Sequence, residues 1–128
     1  MFAVVKGATL LTPSGSFSQP NLKHLTILLT NPVGPAKQVL TVTVSTIRGS
    51  NYDRTCVLDK GDHSFINGPS FVAYWFCRHD CTEKAIHEAI ANDMFVPMEP
   101  LREEVFDRVV AGLHKSPHTA PFAKTFIR

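Results

Sequence analysis

The sequence predicts an α+β fold, in which a small bent antiparallel sheet is followed by two or three helices. Two observations support this prediction. Short apolar runs with the two-residue period of strands fill residues 2–76, and turn-forming residues separate them. From residue 82 to about residue 127, the apolar residues instead recur every three or four positions, as they do along an α-helix. Strands and helices that are segregated along a chain are typical of the α+β class.

The clearest strand is expected at residues 39–46, where three apolar side chains alternate with three hydroxyl side chains. One face of that strand should therefore belong to the core, while the other is exposed or lines a site. Further strands are expected at residues 25–30, 56–58, 65–66 and 71–76, and residues 2–12 form either a hairpin or one bent strand. Residues 13–21 are dense in Pro, Ser and Gly, which predicts a flexible loop. Short strands joined by tight turns favour a strongly bent sheet, most specifically a small SH3-like barrel.

Helices are expected in the last third of the chain. Thr82 is a suitable N-cap for a first helix that runs through Asn92. After a connection that contains prolines, an amphipathic stripe over residues 101–113 predicts a second helix. Residues 122–127 form a last short helix in this prediction.

Length and composition indicate one domain, residues 1–128, with a core of ordinary size. The chain has 44% hydrophobic residues, a formal net charge of +2 and three cysteines. The charge allows a weak preference for a polyanion. No apolar run reaches the roughly 18 residues of a membrane span, and the first residues lack a secretory pattern, so we expect a cytoplasmic protein with reduced thiols and no membrane association.

Polar residues on two predicted loops supply the groups that RNA cleavage requires. In that reaction a base removes the proton of the ribose 2′-hydroxyl, a cation stabilises the charged phosphorus centre, and an acid protonates the leaving oxygen. His63 suits proton transfer and Arg48 suits phosphate. If their strands are neighbours, these two side chains converge with Thr46 and Asp62, and we predict all four as catalytic. The alternative is that Asp62 caps its own turn, His63 is a buried hydrogen-bond partner and Arg48 is a solvated charge.

Two further residues are predicted to contact a substrate. The hydroxyl of Ser70, like that of Thr46, would donate a hydrogen bond to a phosphate oxygen. The aromatic run at residues 71–76 is expected to lie in the core. Tyr74 is the exception, because its hydroxyl would reach the site.

A zinc site is an alternative for the segment that follows this run. In an extended segment, Cys77, His79 and Cys81 would share one face. A fourth ligand would come from one of three residues: Cys56, His63 or His87. The spacing is not the usual C-x₂-C of zinc hairpins, so free thiols at a strand end compete with this interpretation. Sequence motifs of kinases, nucleotide-dependent dehydrogenases, α/β-hydrolases and common zinc proteases are absent.

Two stretches resemble a known family. Lys23-His24 followed by the apolar residues 25–30 looks like an Arg-Pro-then-apolar strand, and VTVST at residues 42–46 looks like the strand after it, which ends in Ser or Thr. Together with the last amphipathic helix, these features resemble the MazF/PemK-like toxins of bacterial toxin–antitoxin pairs over residues 23–113.

The resemblance implies an SH3-like barrel with trailing helices, and an endoribonuclease that cleaves single-stranded RNA without a metal or other cofactor. It also implies a homodimer and a protein antitoxin that covers the groove. Thr46 would be the catalytic hydroxyl residue. Lys23 and His24 stand where the family has its catalytic Arg, which implies contact with the substrate. Residues 56–63 depart from the family pattern, and His63 would take the acid/base role there.

Two other functions remain open at this point. The first is a non-catalytic module of a phage or mobile element that binds a protein partner. The second is the small zinc-binding protein described above.

Overall fold

One antiparallel sheet of six strands, with three helices, makes up the part of the chain that the computed structural model describes, residues 2–13 and 22–126. The strands are β1 (Thr9–Pro13), β2 (Lys23–Leu28), β3 (Gln38–Thr46), β4 (Val57–Leu58), β5 (Ser70–Thr82) and β6 (Val96–Met98). The helices are α1 (Glu83–Ala91), α2 (Glu103–Lys115) and α3 (Pro121–Phe126). Across the sheet the order is β4-β5-β3-β2-β1-β6, and the sheet curls into a half-barrel. The predicted α+β class is confirmed.

The alternation predicted in β3 is confirmed. Its three apolar side chains, Leu40, Val42 and Val44, are buried in the main core. The hydroxyl side chains between them face the other side of the sheet. A fully buried aliphatic side chain of this size contributes roughly 1.5–3 kcal/mol, so register is strongly determined here.

Helix α2 covers the core face of the sheet with its apolar stripe. Val105, Val109 and Leu113 are buried against the β2 and β3 side chains. The hydroxyl of Tyr74, on β5, donates a hydrogen bond of 2.7 Å to the Val109 carbonyl. The helix approaches closely because Gly112 lies over the Tyr74 ring, where a Cβ atom would collide with the hydroxyl.

Strand β5 is longer than the strand it pairs with. It uses 13 residues where β3 uses nine. The register pairs Thr41 with Arg78 but Thr43 with Ala73, so β5 arches away between these positions. This bulge places Trp75 and Phe76 outside, with 38% and 58% of their surface exposed. The prediction that these two aromatics belong to the core was therefore wrong.

The strands and helices are less segregated than predicted. β6 lies between α1 and α2 and pairs with β1 through Thr9 and Met98. Pro97 is one of the prolines of the predicted connection between the first two helices, where no strand was expected. Proline is nevertheless compatible with an edge strand, because one side of its backbone needs no partner. Residues 65–66 lie in a turn rather than a strand, and residues 2–8 precede the first strand.

The helix ends follow the predicted signals. Thr82 caps α1 by accepting a hydrogen bond of 3.1 Å from the Ala85 N–H, and Asn92 ends the helix. Ser116 ends α2. Residues 14–21 of the predicted loop lie outside the described residues. Ile127, the last residue of the predicted third helix, also lies outside them. Among the helices of the described ranges, none is both long and apolar enough to cross a membrane.

The contact between α2 and Tyr74 makes a first prediction. Gly112→Ala should lower the free energy of unfolding by about 1–3 kcal/mol, because the added methyl group has no room beside the Tyr74 hydroxyl. Chemical denaturation measures this change. Gly49→Ala, where a Cβ meets open space, is the control and should leave the midpoint nearly unchanged. Equal stability of the two variants would contradict the close packing of α2.

Candidate functional site

A wide groove lies at the end of the sheet where β2 begins and β3 ends. Its volume is about 900 Å³, and its walls include Lys23, His24, Thr46, Arg48 and Ser70. We call it the basic groove, after its three basic residues. A volume in this range is typical of ligand sites in proteins.

The strand register brings these residues together. Leu25 pairs with Val44, so Lys23 and His24 lie beside the last residues of β3. On the other side of β3, Thr46 pairs with Ser70. Five of the residues predicted to act on a substrate therefore meet at one place, although they come from three separate segments.

The electrostatics of the basic groove are one-sided. Among its described lining residues there is no Asp or Glu. No carboxylate of the described chain lies within ion-pair distance of Lys23 or Arg48. Positive charge that no neighbour neutralises attracts anions, and a concave surface strengthens the field. Phosphate groups are thus favoured over cations at this site.

Aromatic side chains complete the walls. Tyr52, Phe65 and Phe71 line the groove, and the rings of Tyr52 and Phe71 have their centroids 5.6 Å apart. The guanidinium of Arg54 lies 4.2 Å from the centroid of the Tyr52 ring. Rings of this kind stack on bases of single-stranded nucleic acid, and they do so with little sequence preference.

A buried carboxylate anchors the loop that carries Arg48 and Tyr52. Asp53 accepts hydrogen bonds from the Ser116 hydroxyl, at the end of α2, and from the Thr55 N–H. Burial alone would raise the pKa of Asp53, but these hydrogen bonds outweigh it and hold the pKa below its usual value. The Ser116 oxygen also accepts a hydrogen bond from the His118 N–H at 3.0 Å. The loop is therefore tied to the helical part of the protein.

Two of the predicted catalytic residues do not line the groove. The ring of His63 is buried, with its Nε2 atom 2.9 Å from the Glu99 carbonyl and 3.1 Å from the Thr9 hydroxyl. Its Nδ1 atom accepts a hydrogen bond from the Phe65 N–H at 3.1 Å. The ring therefore carries its proton on Nε2, and both nitrogens have partners.

Asp62 is occupied by structural contacts. Its carboxylate accepts a hydrogen bond of 2.8 Å from the Asp59 N–H and lies 3.1 Å from the Arg108 guanidinium. Arg102 adds a hydrogen bond of 2.6 Å to the Gly61 carbonyl. These contacts hold the turn against α2, as in the alternative interpretation of Asp62 as a turn cap.

The three residues predicted to donate a hydroxyl hydrogen bond to a substrate differ in placement. Tyr74 is fully buried and donates to Val109, so it does not reach the groove. Ser70 lines the groove, but its hydroxyl donates to the Gly68 carbonyl at 3.0 Å. Thr46 is exposed at the groove, so its hydroxyl is better placed than that of Ser70 to bond a substrate.

The possible zinc ligands do not share one face. Cys77 lies in the main core, whereas Cys81 packs with the residues under α1. A second register shift in β5, between the partners of Val39 and Thr41, turns the strand between them. His79 stacks near Phe122 of α3, with ring centroids 4.6 Å apart. Within residues 2–13 and 22–126, no group of three His, Cys, Asp or Glu side chains is arranged to hold a metal.

The cysteines are buried to different degrees, and this affects their chemistry. Burial raises the pKa of the Cys77 thiol to about 12 and also raises those of Cys56 and Cys81. All three are free. The thiolate is the reactive and metal-binding form, so burial disfavours nucleophilic and metal-binding chemistry at these three residues.

Sequence reasoning missed several groove residues. Tyr52 and Asn51 come from the polar loop after β3, and Asn67 comes from the turn before β5. A signal was present, because both loops flank strands that end at the groove. Which loop residues face inward depends on the Asp53–Ser116 contact, and that contact spans 63 positions.

Compared with known proteins, the chain matches no family model, no curated protein and no solved structure.

The anchor of the loop makes a second prediction, on the pH dependence of stability. The folded-state pKa of Asp53 is lowered from 3.8, so its stabilising effect is present above that pH and is lost as the pH falls through the folded pKa. Ser116→Ala should therefore cost about 2 kcal/mol at pH 7, and the difference from wild type should narrow below pH 4.

Urea denaturation between pH 3 and pH 7 measures this effect. Ser50→Ala, at an exposed position where only the backbone carbonyl accepts a hydrogen bond, is the control and should remain near wild type throughout. A difference for Ser116→Ala that stays constant with pH would mean that the charge of Asp53 contributes nothing to the anchor.

Proposed function

We propose that this protein is a toxin-type endoribonuclease that binds single-stranded RNA in the basic groove and cleaves it without a metal ion. The observation that carries the proposal is the combination, in one groove, of an exposed hydroxyl, aromatic rings and cations that pair with no carboxylate of the described residues. Cations attract the phosphates, and rings accept the bases. The absence of Asp and Glu among the described lining residues supports a metal-independent reaction, since carboxylates are the usual ligands of Mg²⁺.

His24 is the imidazole that the groove offers, and we assign the proton transfer to it in place of the buried His63. His24 removes the proton of the ribose 2′-hydroxyl, and the resulting oxygen attacks the adjacent phosphorus. The bond to the 5′ oxygen breaks, which leaves a 2′,3′-cyclic phosphate. The freed 5′ oxygen takes a proton from a water molecule in the open groove, and the resulting hydroxide takes the proton that His24 holds, which restores His24 as a base.

The other groove residues stabilise the charge that develops at phosphorus. Arg48 places a planar set of donors beside the phosphate oxygens, and Lys23 adds a second positive charge. The Thr46 hydroxyl donates a hydrogen bond to a phosphate oxygen. Removing a single donor of this kind from an active site commonly reduces the rate by roughly 10²–10³-fold.

The proposal extends to the partners and the compartment. A toxin of this type would act on cytoplasmic RNA as a homodimer. Its antitoxin would be a protein with acidic side chains, because the basic groove is the surface that must be covered. The positive charge of the half-buried Lys23 and the exposed Arg48 supports an acidic segment as the occupant.

Expression in bacteria tests the proposed function. Induced wild-type protein should arrest growth and fragment total RNA, while Arg48→Ala and Lys23→Ala should reduce the fragmentation at least tenfold. Lys84→Ala removes one positive charge from α1, away from the groove, and is the matched control that should behave as wild type. All variants are compared at equal soluble protein levels.

Healthy growth and intact RNA at high expression of the wild type would contradict the ribonuclease proposal. The remaining function would then be the interaction module, and a pull-down with the wild type beside Arg48→Ala would search for its partner.

The two histidines make a further prediction with purified protein. His24→Ala should retain the wild-type unfolding midpoint and lose at least tenfold of the cleavage rate. His63→Ala should instead lower the free energy of unfolding by roughly 2–4 kcal/mol, because it opens a cavity and leaves the Phe65 N–H without its partner. Thermal unfolding and cleavage of a labelled RNA are measured side by side. Full activity of folded His24→Ala would remove His24 from the mechanism.

A further inference from the structure

A second depression lies on the face of the sheet opposite the main core. Its volume is about 420 Å³. One wall carries five hydroxyl side chains: Thr12, Thr26, Thr41, Thr43 and Ser45. We call it the hydroxyl cleft. It exists because the alternation in β2 and β3 sends every second side chain away from the core.

The hydroxyl cleft and the basic groove adjoin each other. His24 and Ser45 line both of them. These two residues lie next to each other where β2 begins and β3 ends, so the two depressions meet at this point of the sheet. An extended RNA strand bound in the groove therefore has the cleft as its neighbouring site.

The two depressions differ in charge. In the cleft, Arg78 is paired with Asp80 through hydrogen bonds of 2.7 and 3.1 Å. The guanidinium is thereby neutralised by its neighbour, in contrast to Arg48 in the groove. A phosphate gains little in such a place, whereas a neutral group with hydrogen-bonding edges is well accommodated.

An exposed aromatic ring closes the cleft. Phe76 lines it and has 58% of its surface exposed, an unusual state for a phenylalanine. The bulge in β5 holds the ring there, and its neighbour Trp75 packs against it with centroids 5.7 Å apart. A supported, exposed ring beside hydroxyl groups suits the face and edge of a nucleobase.

Within residues 2–13 and 22–126, only two of the five cleft hydroxyls bond each other or another side chain. Thr12 and Thr26 bond each other at 2.9 Å. Thr43 and Ser45, farther along the same face, lie next to the point where the groove joins the cleft. Hydroxyls donate and accept, so they match the edges of several bases.

From this geometry we propose that the hydroxyl cleft binds a nucleobase of the same RNA strand whose phosphates lie in the basic groove. The base stacks on Phe76, and its edge bonds Thr43. This inference rests on the proposed function. It divides the site into a groove that holds the charged backbone and cleaves it, and a neighbouring cleft that holds one base.

Binding of short and long RNA tests the inference. The probes are fluorescent 2′-O-methyl RNA pools of random sequence, three or eight nucleotides long, which lack the attacking hydroxyl. Phe76→Ala should weaken binding of the eight-nucleotide pool about tenfold, the range expected for one stacked base, and weaken binding of the three-nucleotide pool less. Thr43→Val should act in the same direction with a smaller effect. Arg48→Ala should weaken both pools.

Phe122→Ala removes another exposed phenylalanine, on α3, and is the matched control that should bind both pools as wild type does. If Phe76→Ala and Thr43→Val bind the long pool normally while Arg48→Ala does not, the cleft inference is wrong and the proposed function stands. If the wild type binds neither pool, the inference and the proposed function fail together.

Discussion

The pairing of β3 with β5 is the constraint on which the rest of the structure depends. β3 lies inside the sheet, and its two faces carry the main core and the hydroxyl cleft. β5 matches it at both ends, through Thr46 with Ser70 and Gln38 with Thr82, but has more residues between these points than the pairing needs. The surplus is taken up in two register shifts, of which the larger forms the bulge. The mismatch in strand length therefore exposes the rings of Trp75 and Phe76.

The arrangement of charge follows from which residues have partners. Asp62 contacts Arg108 of α2 and Arg102, the residue that precedes α2; Asp80 contacts Arg78, and Asp53 contacts Ser116. These three carboxylates therefore bond other parts of the protein, and within the described residues none of them pairs with Lys23 or Arg48 at the end of the sheet. Exposed ion pairs contribute little stability, so the effect of this separation is on the local field rather than on folding.

Much of the fold was predictable from local pattern, and the exceptions have physical causes. The alternation in β3 and the cap at Thr82 depend on neighbouring residues alone, and both were predicted correctly. β6 was missed because Pro97 is excluded from central strands but tolerated at an edge, and the sequence does not say which strand is at the edge. The exposure of Phe76 was missed because a bulge depends on the length of the partner strand.

The candidate site was predictable in part for the same reason. Thr46, Arg48 and Ser70 were placed together because they follow or precede recognisable strands. His63 and His24 were indistinguishable in sequence, since burial of His63 depends on the Glu99 carbonyl 36 positions away. Packing across the sheet decides which imidazole is enclosed and which is open to a ligand.

The late position of β6 has a consequence for the newly made chain. β1 can pair with β2 as soon as both are synthesised, because the two strands are close in sequence. The other edge of β1 has no partner until β6 is made. The Thr9 hydroxyl likewise donates to the carbonyl of Glu99, 90 positions later in the chain. Until the ribosome has released that segment, β1 presents an open row of backbone donors and acceptors. Such a row is a template for pairing with other chains. Contacts this far apart also fold slowly, so the interval in which a chaperone or a second nascent chain can bind is set by the distance between β1 and β6.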